Sequence, residues 1–193
     1  EAVETRQCVI ETEIVVNAGG MFAGEIGALA GVVVPIIPMA HEYLVLEPCG
    51  LPTDMPTMRD PSLLVYFRPE SGGLIMGGYE RECAPWSLDG IPADFNGKLL
   101  EEDWPRFEEL MTNAVVRVPS IETMGVIKLI NGPEAFTPDG EFILGPTDLR
   151  GFWVAAGFCA HGLAGAGGMG KLVAEWIVEG TPSLDVWHMD SRR

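Results

Sequence analysis

The side chains with the richest chemistry are thinly spread along the sequence. His41 stands in the run His41-Glu42-Tyr43-Leu44-Val45-Leu46, where alternation puts His41, Tyr43 and Val45 on one face of a strand. Tyr66 stands in a second such run, and antiparallel neighbours would bring an imidazole and a phenol onto one pocket wall suited to moving protons. A histidine held only for structure competes with that reading. Gly165-Ala166-Gly167-Gly168-Met169-Gly170 matches G-x-G-x-x-G, after a strand and at the opening of a helix. The stretch after Gly170 is too short for a full dinucleotide domain. The spacing therefore predicts either a helix N-terminus close to something electron-rich or glycines packing a helix on a sheet. Asn131-Gly132-Pro133 and Thr137-Pro138-Asp139-Gly140 predict stiff turns around Phe136.

No G-x-S-x-G, H-E-x-x-H or P-loop pattern occurs, so serine hydrolysis, zinc proteolysis and nucleotide hydrolysis find no support. His41, His161 and His188 are too far apart for a sequence-local metal site, and no metal is predicted. Cys8, Cys49, Cys83 and Cys159 form no C-x-x-C pair, which points to a reducing compartment, and Cys159 reads as a buried, inert thiol. The 193 residues carry a formal charge of −16, which argues against a nucleic-acid partner, since phosphate binding depends on Lys and Arg. At 47% hydrophobic and 21% charged, the chain has ample material for a core. The uncharged stretch 151–170 has the length of a membrane span. Its glycines and His161 predict a strand, a loop and a helix start instead, and no membrane. The opening Glu1-Ala2-Val3-Glu4-Thr5 has no basic or apolar leader region, so no secretory signal is expected and the chain reads as a piece of a longer one.

Positioning these side chains falls to a mixed set of elements. Residues 13–17 predict a strand, Ala18-Gly19-Gly20 a tight turn, and residues 21–29, with Phe22, Ile26 and Leu29 at helical spacing, a short helix. Pro35 and Pro38 predict an edge or bulged strand within 32–38, ahead of a better strand at 41–46. Pro48, Pro52, Pro56 and Pro61 make 48–61 a surface loop. Residues 63–68 and 74–79 predict a β-hairpin joined by the loop 69–73. Acids crowd residues 80–109, which read as a solvated face. Asp103 is placed as a helix N-cap, with Pro105 in the first turn and Phe107, Leu110, Met111, Ala114 and Val115 as a core-facing stripe. Strands follow at 126–130, 141–144 and 152–156, then a helix over 169–179 that Gly180-Thr181-Pro182 stops.

Four segments taken together carry a resemblance: V-V-N-A-G-G-M-F-A (15–23), P-M-A-H-E-Y-L-V (38–45), N-G-P-E-A-F-T-P-D-G (131–140) and W-V-A-A-G-F-C-A-H-G-L-A-G-A-G-G-M-G-K (153–171). With them the chain resembles the dimethylglycine and sarcosine dehydrogenases among the D-amino-acid-oxidase-like FAD oxidoreductases, in the family's order and over nearly its whole length. The resemblance implies the carboxyl-terminal part of a flavin domain, α+β and α/β in class. Residues 1–31 would end a Rossmann-like FAD-binding domain, 32–131 would form an antiparallel-sheet substrate domain with helices, and 132–193 would return to the FAD-binding domain with a carboxyl-terminal helix. The family's amino-terminal βαβ half, with its own glycine fingerprint and the histidine that often holds FAD covalently, would be a missing partner. Tetrahydrofolate would belong to a region that commonly follows, and this piece alone would be inactive.

By the same resemblance, His41 and Tyr66 match the substrate-pocket His and Tyr that position an amine and influence its protonation. Ala18, Gly19 and Phe22 would lie by the FAD, Phe22 where the family often has Trp. Thr137, Pro138 and Asp139 would approach the isoalloxazine. Gly157, Phe158, Cys159, Ala160, His161, Gly162 and Leu163 would wrap its edge, in a loop whose length varies in the family. The activity implied is oxidation of an N-methyl amino acid, dimethylglycine or sarcosine. A neutral amine gives a hydride equivalent from its N-methyl carbon to flavin N5, and the iminium left behind hydrolyses to formaldehyde. Oxygen or an electron-transfer flavoprotein would take the electrons, in a bacterial cytoplasm or a mitochondrial matrix. Chains resembling the phosphatase regulatory subunit of pyruvate dehydrogenase keep the same fold, which sets a catalytically silent subunit against the enzyme. A different amine or amino-acid oxidase of the superfamily is a third reading.

Overall fold

The computed structural model describes residues 2–52 and 54–193; Glu1, in the predicted leaderless N-terminus, and Thr53, inside the predicted loop 48–61, lie outside the described residues. In chain order the elements are β1 (Ala2–Glu4), β2 (Val9–Glu11), β3 (Val15–Asn17), α1 (Ala23–Leu29), β4 (Ile37–Leu46), β5 (Met58–Asp60), β6 (Val65–Glu70), β7 (Gly73–Gly78), β8 (Ala84–Pro85), α2 (Trp104–Arg117), β9 (Val126–Phe136), β10 (Ile143–Pro146), β11 (Phe152–Ala156) and α3 (Gly162–Glu179). The chain divides into two compact units. Unit 1 comprises the residues up to Pro38, Ser87–Pro92 and Glu134–Arg193; unit 2 comprises Met39–Trp86 and Ala93–Pro133.

Unit 2 is built on an antiparallel sheet with the strand order β5-β6-β7-β4-β8 among the described residues, β9 also pairing β4. Along β4, Ala40, Glu42, Leu44 and Leu46 are buried, while Met39, His41, Tyr43 and Val45 stay half-buried on the other face. That alternation belongs to a sheet packed on one side. The packing layer is α2. Asp103 caps it, Oδ1 accepting from Arg106 N at 3.2 Å, and Pro105 occupies the first turn. Phe107, Leu110 and Ala114 then meet Leu44, Leu46, Val65, Phe67, Leu74 and Met76 in one core. Each large apolar side chain there contributes about 1.5–3 kcal/mol on burial.

Several sequence expectations from residue 32 to residue 133 need correction. Residues 32–36 carry no strand: pairing starts at Ile37, with Pro38 tolerated next to the strand's beginning. Residues 58–60, inside the predicted loop, pair with β6. The β6–β7 hairpin turns on Ser71-Gly72 alone, because both residues take positive φ, +51° and +78°, the left-handed pair a two-residue turn requires. Asn131-Gly132-Pro133 is part of β9 and no turn. Asn131 is buried, its Nδ2 donates to Glu101 O at 2.7 Å, and its carbonyl accepts from Leu100 N at 2.9 Å. Within the acidic stretch 80–109, Glu80 is buried against Arg106 at 2.9 Å and not solvated.

Unit 1 carries a mixed sheet in the order β10-β11-β3, antiparallel between β10 and β11 and parallel between β11 and β3. Phe152, Val154 and Ala156 on one face of β11 join Ala23, Val34 and Ile143 in a second core. Asn17 shapes the turn from β3 into α1: it is buried, its Nδ2 donates to Ala23 O at 2.8 Å, and its Oδ1 accepts from Gly19 N at 3.2 Å. α3 begins at Gly162 and not near Met169, so the G-x-G-x-x-G match lies inside the helix instead of opening it. Glycine costs a helix about 1 kcal/mol relative to alanine, the reason the sequence predicts a loop there. Gly165 has a packing reason, since an added Cβ would stand 3.3 Å from the Phe142 ring and 3.4 Å from the Phe158 ring. The helix ends at Gly180, whose φ is +83°. Among the described residues no helix is long and apolar enough to cross a membrane, and the cysteines are free thiols, Cys159 alone being buried.

Candidate functional site

Three strands assemble the aromatic chemistry of unit 2. His41 and Tyr43 project from the half-buried face of β4, and Tyr66 from β6. β4 and β6 are not neighbours, contrary to the sequence expectation, because β7 runs between them. The register instead aligns Tyr43 with Gly77 and Gly77 with Tyr66. Gly77 closes the gap. A Cβ there would run into Oη of Tyr66 and stand 2.9 Å from the Tyr43 Cβ, so the missing side chain is what lets the phenol lie across β7. Tyr79, just past β7, stacks on His41 with ring centroids 5.1 Å apart and 30° between planes, and its ring lies 6.1 Å from that of Tyr66. Arg59 on β5 places its guanidinium 5.4 Å from the Tyr79 centroid. His41 and Tyr66 therefore belong to one aromatic wall, joined through Tyr79.

A cavity of about 440 Å³ opens on this wall, lined by Tyr43, Met58, Arg59, Tyr66, Arg68 and Ile75 among others. Aromatic faces, apolar side chains and two cations make it suited to a small anion with an apolar part. Glu70 engages Arg68 at 3.0 Å, whereas Arg59 lies over the Tyr79 ring. Burial lowers the His41 imidazole below its usual 6.5, and the positive charge of Arg106 adds to the effect. His41 is thus neutral at pH 7 and able to accept a proton.

In unit 1 the predicted residues gather on loops at strand ends. Gly157, Cys159 and Ala160 have φ of +67°, +46° and +64°. For Cys159 and Ala160 this left-handed backbone costs roughly 1–2 kcal/mol each. Neighbouring bonds hold it. Cys159 N donates to Ala135 O at 3.0 Å, the Thr137 hydroxyl donates to Glu141 O at 2.8 Å, and Thr137 Oγ1 lies 3.5 Å from Cys159 Sγ. A Cβ at Gly157 would collide with the Thr137 methyl. Phe158 stacks on Phe142 at 4.6 Å. His161 donates from Nδ1 to Cys159 O at 2.6 Å and gives α3 no side-chain cap, so the first N–H groups of the helix have no capping side chain. Leu163, in that first turn, is fully exposed.

Arg193 grips Asp139 through two bonds of 2.9 Å, and this pairing holds the Asp139 carboxyl below the usual carboxylate range. Burial pushes Glu134 the other way, against the charge of His161. Pro138 is exposed and Thr137 buried. Of the turn between β3 and α1, Ala18 is exposed, and Gly19 and Phe22 are half-buried. Among the described residues no group of three or more His, Cys, Asp or Glu is arranged to hold a metal. Sequence reasoning missed Tyr79, Arg59, Gly77, Asn17 and Arg193. A signal existed for Gly77, since glycine inside a strand marks a close approach; Arg59 and Arg193 have none in local pattern.

The family model described as DAO, FAD dependent oxidoreductase, matches residues 1–176. Mitochondrial sarcosine dehydrogenase of Mus musculus is 38% identical over 193 residues, 100% of this chain and 21% of that protein. Mitochondrial dimethylglycine dehydrogenase of Rattus norvegicus is 35% identical, over 99% of this chain and 23% of that protein. The mitochondrial pyruvate dehydrogenase phosphatase regulatory subunit of Mus musculus is 37% identical, over 99% of this chain and 22% of its own. Among solved structures, L-proline dehydrogenase from P. horikoshii matches with a TM-score of 0.83 and 27% identity, over 100% of this chain and 50% of that one. The chain thus spans about a fifth of the curated relatives and half of the solved structure.

Proposed function

Because the chain belongs to the DAO family of FAD-dependent oxidoreductases, we propose that it is part of a flavoenzyme oxidising the CH–NH group of a small amino acid, and in particular of an N-methyl amino acid such as sarcosine or dimethylglycine. The observation that carries this reading is the cavity of unit 2, where Arg59, Tyr43 and Tyr66 line one space; His41, which burial keeps neutral at pH 7, does not line it and joins the same wall through its stack on Tyr79. Arg59 binds the substrate carboxylate by charge-assisted hydrogen bonds. Tyr43 and Tyr66 flank the methyl groups. His41, neutral at pH 7, takes a proton from the substrate ammonium onto its ring nitrogen and so frees the nitrogen lone pair.

The residues of unit 1 fit FAD. The cradle at Gly157, the left-handed backbone of Cys159 and Ala160 and the uncapped start of α3 suit close approach of a flat, electron-rich ring. Phe158, His161, Gly162 and Leu163, with Thr137, Pro138 and Asp139 and with Ala18, Gly19 and Phe22, are the further residues proposed to hold it. When bound, FAD supplies the two-electron acceptor. The same reading includes an amino-terminal FAD-binding half, an electron-transfer flavoprotein or oxygen as final acceptor, tetrahydrofolate bound only by a downstream region, and a mitochondrial matrix or bacterial cytoplasm as setting.

The test uses the full-length parent purified without added cofactor. Anaerobic sarcosine or dimethylglycine is expected to bleach its oxidised-flavin absorbance. Because burial lowers the His41 imidazole, the rate should hold at neutral pH and fall only on the acid side of the ordinary imidazole range, where His41 takes up a proton; His41→Ala should both slow the reaction and remove that acid limb. An unchanged pH profile would take His41 out of this role. A second reading, a catalytically silent subunit, draws on the 37% identity to the regulatory subunit; bound flavin that a panel of amines leaves oxidised would favour it. A parent without any flavin sinks the enzyme.

A further inference from the structure

Behind the wall, on the buried face of β4, lies an ionic cluster whose side chains do not line the cavity. Arg106, in the first turn of α2, has a side chain 12% exposed and reaches Glu42 Oε2 at 3.1 Å, Glu80 Oε1 at 2.9 Å and Asp103 Oδ2 at 3.4 Å. Its Nη1 also donates to Ala40 O at 2.9 Å, and Asp103 N donates to Glu42 Oε1 at 2.9 Å. Ala40 and Glu42 are the two sequence neighbours of His41, and Glu80 is the neighbour of Tyr79. One guanidinium therefore grips the chain on both sides of the imidazole and again beside the ring that stacks on it.

Stability alone is a poor reason for such a cluster. The Glu42 and Glu80 side chains are 1% and 5% exposed, and burial pushes both carboxyls upward in spite of Arg106. Well-packed apolar residues hold a core at least as firmly as a buried ion pair, but they carry no directional bonds. A planar guanidinium with several fixed donors does. Direction matters at Tyr79, which lies past the end of β7. There Tyr79 N donates to Leu64 O at 3.0 Å, and the Glu80–Arg106 pair continues the hold one residue further.

We propose that Arg106 is a positioning residue for the His41–Tyr79 pair: acting through Ala40, Glu42 and Glu80 from behind the sheet, it sets the separation and tilt of the two rings without touching substrate. The inference rests on the proposed amine-oxidation site for its kinetic readout only. The experiment takes the full-length parent and reads two quantities, the ring geometry from crystal structures and anaerobic flavin reduction by amine. Arg106→Lys keeps a charge but cannot reach all of these partners at once. It is expected to move the His41 ring against Tyr79 by about 1 Å and to slow reduction about 10²-fold, with flavin still bound. The KM for the amine should change less than about threefold, a split that simple loss of folded protein would not produce. Glu80→Gln, which preserves shape, should displace Tyr79 alone and slow reduction about tenfold. A folded Arg106→Lys whose rings stay 5.1 Å apart at 30° overturns the proposal. If Arg106→Lys does not fold, an unmoved Tyr79 in Glu80→Gln overturns it instead. Wild-type flavin that no amine reduces counts against the proposed function, while the ring geometry still decides the role of Arg106.

Discussion

On β4, β6 and β7 the directions of His41, Tyr43 and Tyr66 follow from strand alternation, whereas around Cys159 the chain turns on left-handed residues whose polar neighbours bond one another. In the wall, left-handed non-glycine backbone lies at the ends of β6, at Leu64 and Ser71, and not at the residues that bear its rings. Its functional groups are side chains, held by cross-strand register at Gly77 and by a ring stack on Tyr79. The loops are the reverse: Thr137, Asp139 and His161 are committed to Glu141, Arg193 and Cys159, and what remains on offer is backbone shape and the start of a helix. A regular sheet can therefore change its side chains, and with them its substrate, at small cost to the fold. A strained loop depends on its backbone path and suits a large, invariant group.

The comparison breaks most visibly at Gly77. Gly77→Val fills the gap that Tyr66 crosses and is expected to slow amine-driven flavin reduction in the full-length parent by about 10²-fold, with flavin per protein unchanged. Rapid-mixing absorbance measures both, and a wild-type rate would show the placement of Tyr66 to be dispensable. Arg59→Ala should come next. Loss of a charged hydrogen bond of about 1.5–3 kcal/mol raises KM for the amine roughly 10- to 100-fold and leaves kcat nearly unchanged in steady-state assays; a matching fall in kcat would move Arg59 from binding into the reaction. The smallest effect belongs to the loops. Ala160→Gly relieves a left-handed residue and is expected to stabilise by about 1 kcal/mol in urea unfolding, with no change in KM. Destabilisation there would mean that the methyl group and not the backbone path is what the loop needs.

Much of the wall and little of its assembly was readable along the chain. His41 and Tyr66 stand out because alternation around them is regular, yet their meeting depends on β7 lying between two strands that local pattern made neighbours. Tyr79 reads as the last residue of a strand over 74–79, but the strand ends at Gly78, and its stack on His41 has no signal in the pattern. Arg59 falls in a proline-rich stretch that reads as loop but pairs with β6. Arg106 carries no mark of its role, since partners as distant as Ala40 and Glu80 meet it only in the folded state. The opposite error occurred in α3, where glycine propensity predicted a loop and the helix formed seven residues earlier than expected, from Gly162.

Local physics in the sequence by itself determined the elements with strong period or caps: the alternation of β4, the capped stripe of α2 and the glycine-rich turn after β3. Those features depend on neighbours a few residues away, so the chain states them wherever it is read. Only the tertiary structure decided that Gly77 opens a path for Tyr66, that Tyr79 links it to His41, and that Arg106 ties the strands behind them. These are contacts between residues well separated along the chain, set by strand order, register and the burial of charge, and local pattern names none of the partners.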